Sequence, residues 1–145
     1  MVRSGATIDV IWPAMGASTI ELTEANFEAE VKKNGILFID FWASWCPPCR
    51  AFAPVFEEAA KKHTDIVFGK VNTEEQPGLG QAFEVQAIPT LAVFREGVLL
   101  FAEAGAIPAK ALEQLVTKVR ELDMNQVRAD IEDIKKRETG KEPPK

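Results

Sequence analysis

One stretch of this chain limits its fold more than any other. Ile36 to Trp42 is a short apolar run rich in β-branched and aromatic residues, the pattern of a fully buried strand. The run breaks at Cys46-Pro47-Pro48-Cys49 and resumes as Arg50 to Ala60, which is helix-forming material. A proline pair fits only at a helix start, where backbone N–H groups have no intrahelical acceptor to lose. The residue before a proline avoids the α region, which makes Cys46 the N-cap and Pro47 the first helical residue. A Cys46 thiolate there faces the positive helix end and the Cys49 N–H, the setting in which thiols ionise easily and become nucleophilic. Two cysteines two residues apart, where a strand hands over to a helix, predict a dithiol redox site. Cys46 is expected to be the more exposed sulfur and the attacking one. Cys49 then resolves the mixed disulfide, leaving Cys46–Cys49 oxidised.

Asp40 is the anomaly in the strand. A carboxylate amid buried apolar residues carries a desolvation cost that raises its pKa. Strand alternation puts it on one face with Phe38 and Trp42. The plain alternative is a carboxylate satisfied by backbone N–H groups.

Composition narrows the field further. The 145 residues suffice for one domain with a core of its own, and a net charge of −5 leaves no basic stripe for nucleic acid. No apolar run approaches the ~18 residues of a membrane span. Residues 1–20 hold only Arg3 as a cation and are interrupted by Pro13 and Gly16, so they lack the apolar core of a signal peptide. The expected location is therefore the cytoplasm or an equivalent reducing compartment. Both cysteines lie in the motif, and a bridge closing two residues constrains almost no chain, so the pair is read as catalytic and not as a structural staple. One Cys-x-x-Cys and the single His63 fall short of the roughly four ligands a metal or iron–sulfur site needs, and no metal or cofactor is expected. His63 falls at a helix end and is read as a partner of the helix dipole.

The remaining elements follow from periodicity and punctuation. Residues 1–18 allow two readings: a short strand through Ile8, Val10, Ile11 and Trp12, or an arm laid over the domain or left mobile. Ser18 to Leu22 alternates weakly, as an edge strand does, and Thr23 is placed to cap a helix running to Lys33. The active-site helix runs to about His63 and is expected to bend at Pro54. Ile66 to Val71 is a second apolar strand, and strand, helix, strand in that order predicts a parallel crossover. A short helix is placed at Leu79 to Phe83. Thr90 to Phe94 and Val98 to Ala102 flank Arg95-Glu96-Gly97, read as a three-residue hairpin loop. Pro108 opens a helix carrying Leu112, Leu115, Val116, Val119 and Leu122 at helical spacing. In the extension 123–145, Met124, Val127, Ile131 and Ile134 recur at steps of three and four. There either the previous helix continues or a new one starts at Asp123, and Gly140 to Lys145 is expected to be disordered. The sum is an α/β chain, a mixed sheet with helices on both faces, divided into an arm (1–18), a main domain (19–122) and a C-terminal extension (123–145).

Phe41-Trp42-Ala43-Ser44-Trp45-Cys46-Pro47-Pro48-Cys49-Arg50 resembles the active-site block of the thioredoxin family. Pro54, Lys70-Val71-Asn72, Ile88-Pro89-Thr90, Gly97 and Gly105 also match in order, so the resemblance spans about Thr19 to Leu122. It implies the thioredoxin fold and a disulfide reductase acting on disulfide-containing proteins, with a thioredoxin-reductase-type electron donor. By the same resemblance Asp40 relays protons to and from Cys49, Lys70 lies near that carboxylate, and the Ile88–Pro89 bond is cis and faces the dithiol. Backbone just before Pro89 then pairs with substrate, and Trp45, Pro47, Ile88, Gly105 and Ala106 form an apolar docking rim. A monomer is expected, the C-terminal helix being the alternative route to a dimer.

The chain departs from the family in carrying Pro-Pro where common thioredoxins have Gly-Pro. The Trp-Cys-Pro-Pro-Cys-Arg string is similar to that of extracytoplasmic thioredoxin-like proteins serving cytochrome maturation, but the compact spacing from Cys49 to Pro89 resembles ordinary thioredoxin. Disulfide reductase is favoured over isomerase or oxidant, and over a docking module in which the cysteines are incidental.

Overall fold

A computed structural model of the chain describes residues 18–33 and 35–141. Residues 1–17 of the expected arm, with the strand reading at Ile8 to Trp12, lie outside those residues. The elements run β1 (Thr19–Glu21), α1 (Phe27–Lys33), β2 (Ile36–Trp42), α2 (Pro47–Lys62), β3 (Val67–Asn72), α3 (Pro77–Ala82), β4 (Thr90–Arg95), β5 (Val98–Ala104), α4 (Ala109–Glu121) and α5 (Met124–Lys141). By internal contacts the chain divides into one unit up to Leu112 and a second from Glu113 onward.

The first unit is built on a five-stranded sheet in the order β1-β3-β2-β4-β5. β2 and β3 run parallel with Phe38 opposite Phe68 and Asp40 opposite Lys70, as a strand–helix–strand crossover through α2 requires. β2 and β4 are antiparallel, with Asp40 opposite Leu91. β2 therefore lies at the centre of the sheet, and its interior from Leu37 to Phe41 is buried without a break. That accounts for a continuous apolar run in place of alternation.

The two sheet faces divide the aromatic residues between them. Leu37, Ile39 and Phe41 join Leu22, Val71, Leu79, Ala92 and Phe94 in a cluster that also takes Phe27 and Val31 from α1 and Phe83 and Val85 beyond α3. On the other face Phe38 meets Phe68 at 5.2 Å between ring centroids, and Phe68 meets Phe56 of α2 at the same distance edge to face. Helices thus cover both faces. Gly69 is required in β3 because a Cβ there would lie 2.5 Å from the side chain of Leu22, which is fully buried and has nowhere to go.

Local chemistry explains most element boundaries. Thr23 Oγ1 accepts from Asn26 N–H while Asn26 Oδ1 accepts from Thr23 N–H at 2.7 Å, a reciprocal cap on the turn that leads into α1. Asp123 accepts from the N–H groups of Asn125 and Gln126, so the extension starts a new helix and does not continue α4. Three expectations are corrected. α3 starts two residues earlier than expected, at Pro77, because proline is at its best in a first helical turn. The β4–β5 turn has two residues, not three, since Glu96 (φ 54°) and Gly97 (φ 80°) both adopt the left-handed conformation of a type I′ turn and Arg95 stays paired with Val98. Lastly, α5 continues through Gly140 to Lys141, where disorder was expected, because one glycine in the last turn costs only about 1 kcal/mol and does not by itself end a helix.

Candidate active site

Cys46 caps α2 in the manner expected of the sequence. Its backbone is extended (φ −94°, ψ 111°), Pro47 and Pro48 fill the first turn, and its Sγ accepts from the Cys49 N–H at 3.2 Å. The Arg50 N–H donates to the Cys46 carbonyl at 3.1 Å, closing the first helical turn. Cys46 and Cys49 are joined as a disulfide, with Cα atoms 5.2 Å apart.

Cys46 is expected to be the more exposed sulfur, and the structure covers both almost equally. Cys46 is 3% and Cys49 2% exposed, so neither sulfur is open to solvent in this oxidised form. An N-cap side chain turns back over its own helix, the disulfide covers each sulfur with the other, and the Ile88 carbonyl oxygen lies 3.7 Å from Cys46 Sγ. The solvent boundary around the pair is formed by Trp45, which is 60% exposed, and by exposed Pro47 and Pro48.

Ile88–Pro89 is cis. The Pro89 carbonyl accepts from Gly105 N–H at 2.7 Å, and Thr90 Oγ1 donates to the Ala87 carbonyl at 2.6 Å, which ties this loop to β5 and to itself. A cleft of about 570 Å³ is lined by Trp45, Gln81, Glu84, Val85, Gln86 and Ile88 among others, and it adjoins the disulfide through Ile88, whose carbonyl lies 3.7 Å from Cys46 Sγ. Trp45 and Ile88, expected at the rim, border it. Pro47, Gly105 and Ala106 do not line it, although Pro47 adjoins Cys46 and Gly105 is bonded to Pro89. Trp45 is fixed by its indole N–H, which donates to the Glu74 carboxylate. Glu74 itself is placed by its N–H bond to Asn72 Oδ1 at 3.0 Å, and Thr73 by its N–H bond to the Trp42 carbonyl at 2.9 Å.

Sequence reasoning missed Glu74, Gln81, Glu84 and Gln86. The one signal present was Phe83-Glu84-Val85, a charge between two apolar residues just after a short helix. The conformation of Glu84 has no such signal, because its left-handed backbone (φ 53°) is normally announced by glycine.

Asp40 lies on the face of β2 covered by α2 and is fully buried. Neither carboxylate oxygen has a hydrogen-bond partner among the described residues, so the backbone-satisfied alternative does not hold. Burial pushes its pKa up from 3.8 to about 7, and the Lys70 ammonium on the neighbouring strand pulls the other way without prevailing. Lys70 sits with its Nζ 5.0 Å from the centroid of the Trp42 ring, which shares its charge with an aromatic face. His63 is the C-terminal cap of α2, its N–H bonded to the Ala59 carbonyl. Among the described residues no helix is long and apolar enough to cross a membrane.

The comparisons agree with this geometry. The thioredoxin family model matches residues 18–118. The putative thioredoxin 2 of Streptomyces coelicolor is 52% identical over 111 residues, covering 77% of this chain and 83% of its own length. Thioredoxin 1 of Synechococcus elongatus is 39% identical, over 67% of this chain and 92% of its own. Among solved structures, the thioredoxin of Plasmodium falciparum superposes with a TM-score of 0.65 at 33% identity, covering 69% of this chain and 98% of its own. The oxidised mitochondrial thioredoxin 3 of Saccharomyces cerevisiae does so with a TM-score of 0.65 at 32% identity, covering 70% and 96%. With the Cys46–Cys49 disulfide at the tip of α2 and this sheet beneath it, the chain belongs to the thioredoxin family, has the thioredoxin fold and is a thiol-disulfide oxidoreductase.

Proposed function

We propose that the protein reduces disulfides in other proteins, with Cys46 as nucleophile and Cys49 as resolving thiol. The observation that carries this is the helix cap: Cys46 Sγ accepts the Cys49 N–H at the positive end of α2, an arrangement that stabilises negative charge on that sulfur once the disulfide is opened. In the reduced protein the Cys46 thiolate attacks one sulfur of a substrate disulfide, forming a mixed disulfide and releasing one substrate thiolate. The Cys49 thiol gives up its proton and attacks Cys46 Sγ, releasing the second substrate thiolate and closing Cys46–Cys49. Two electrons have moved to the substrate, and a thioredoxin-reductase-type donor returns them by reducing the protein disulfide.

Asp40 is the group we assign to the Cys49 proton. It is buried on the α2 side of the sheet and poised near neutral pH, where a carboxylate both accepts and returns protons. Lys70 modulates that affinity as the nearest strand partner. The Ile88 carbonyl, close against the sulfur, and cis-Pro89 offer a backbone edge for an extended substrate strand, with Trp45 and Pro47 flanking it and Gly105 and Ala106 completing the rim. A reducing compartment such as the cytoplasm suits a chain whose only two cysteines are the redox pair.

The test is insulin-type disulfide reduction driven by a thioredoxin reductase or by dithiothreitol. Wild type is expected to turn over, Cys46→Ser to be inactive, and Cys49→Ser to accumulate a mixed disulfide on Cys46. Activity retained in Cys46→Ser refutes the assignment. A dithiol potential clearly more oxidising than that of the glutathione pool moves the protein to the oxidant or isomerase class.

A further inference from the structure

The end of α3 carries a feature that disulfide exchange does not use. Val85 N–H donates to the Gly80 carbonyl at 2.9 Å and Glu84 N–H to the Gln81 carbonyl at 3.0 Å, the paired bonds of a Schellman cap. The left-handed residue of such a cap is ordinarily glycine, and here it is Glu84, at φ 53°. A side chain in that conformation is disfavoured, so its presence is a cost to the fold. Phe83 and Val85 on either side pack against the core cluster, which leaves Glu84 facing outward and exposed.

Glu84 stands where two depressions meet. One is the cleft that starts at Trp45 and Ile88 beside the disulfide. The other, of about 310 Å³, runs past Thr90 to Ala102, Glu103 and Ala104 on β5. Among the described residues the charged ones lining the two are Glu84 and Glu103, with no lysine or arginine. Glu74 is engaged by the Trp45 indole, whereas the Glu84 carboxylate has no hydrogen bond or ion pair among the described residues.

We propose that this cleft selects an extended substrate segment with a lysine or arginine side chain beside its disulfide, and that Glu84 is the specificity-determining contact. The proposal deepens the disulfide-reductase reading and rests on it. Trp45 supplies an exposed aromatic face for the aliphatic stem or the guanidinium plane of such a side chain, and Glu84, in the lining of the same cleft, supplies the counter-charge. The anionic lining and the net charge of −5 both favour a cationic occupant.

The experiment uses three peptides with the same intramolecular disulfide and a lysine, alanine or glutamate flanking one cysteine. kcat/KM is measured for the full chain and for Glu84→Gln and Glu84→Lys, with dithiothreitol as reductant. Wild type is expected to prefer the lysine peptide to the glutamate peptide by about fivefold at low salt, the size of a partly exposed charge contact. That ratio falls towards one in Glu84→Gln, inverts in Glu84→Lys and shrinks at high salt. An equal ratio in wild type and Glu84→Gln overturns the proposal while leaving the reductase reading intact. Failure of wild type to reduce even the alanine peptide overturns both.

Discussion

Replacing Asp40 with asparagine keeps the shape of the side chain and removes the ionisable proton, which isolates the cost of the buried charge. With its pKa raised from 3.8 to about 7, the native state holds this proton over a pH range in which the unfolded chain has released it. Stability from this group is therefore complete below pH ~4, falls as pH rises, and is lost once pH passes about 7. The full loss is about 4 kcal/mol, at ~1.4 kcal/mol per pKa unit, of which less than half has accrued by pH ~5. The stability of Asp40→Asn relative to wild type is thus expected to improve by about 2–3 kcal/mol between pH ~5 and pH ~8. Urea unfolding of the oxidised proteins, followed by circular dichroism at both pH values, reads this difference directly. The comparison cancels every other titrating group, since both proteins share them. Parallel stability-versus-pH curves refute the reasoning, because they require Asp40 to titrate alike in the folded and unfolded chain.

The same substitution is expected to slow release from the Cys46 mixed disulfide and to flatten the pH dependence of that step near neutrality, and an unchanged pH–rate curve in stopped-flow reduction removes Asp40 from the mechanism. Gly69→Ala drives a methyl group into buried Leu22 and is expected to destabilise the fold by about 1–3 kcal/mol, measured as a lower urea midpoint at unchanged slope. Glu84→Gly relieves the left-handed glutamate and is expected to raise stability by about 1 kcal/mol while erasing the preference for basic substrates, so a loss of stability shows that the conformation carries no strain.

The elements whose signals are local were legible. An unbroken apolar run with β-branched and aromatic residues marks the central strand, and proline chemistry marks Cys46 as the helix cap. Turns and helix ends carry weaker local signals. The β4–β5 loop was read one residue too long because Glu96 enters a left-handed conformation that only Gly97 advertises, and Gly140 did not stop α5. Asp40 was recognisable as an anomaly from its apolar neighbours, but two outcomes were open, a carboxylate satisfied by backbone groups or one left alone. The structure resolved that in favour of the second.

What the sequence determined by itself was the position of the sulfur pair along the chain and the helix that presents it, since capping and proline geometry act within four residues. Only the tertiary structure decided how deeply Cys46 is covered, which carbonyl lies against it and which carboxylates border the cleft. Ile88 is 42 residues from Cys46 and Glu74 is 29 from Trp45, so their placement depends on how the strands pair and not on any local preference. Burial is a property of everything packed around a group, and no residue carries that information alone.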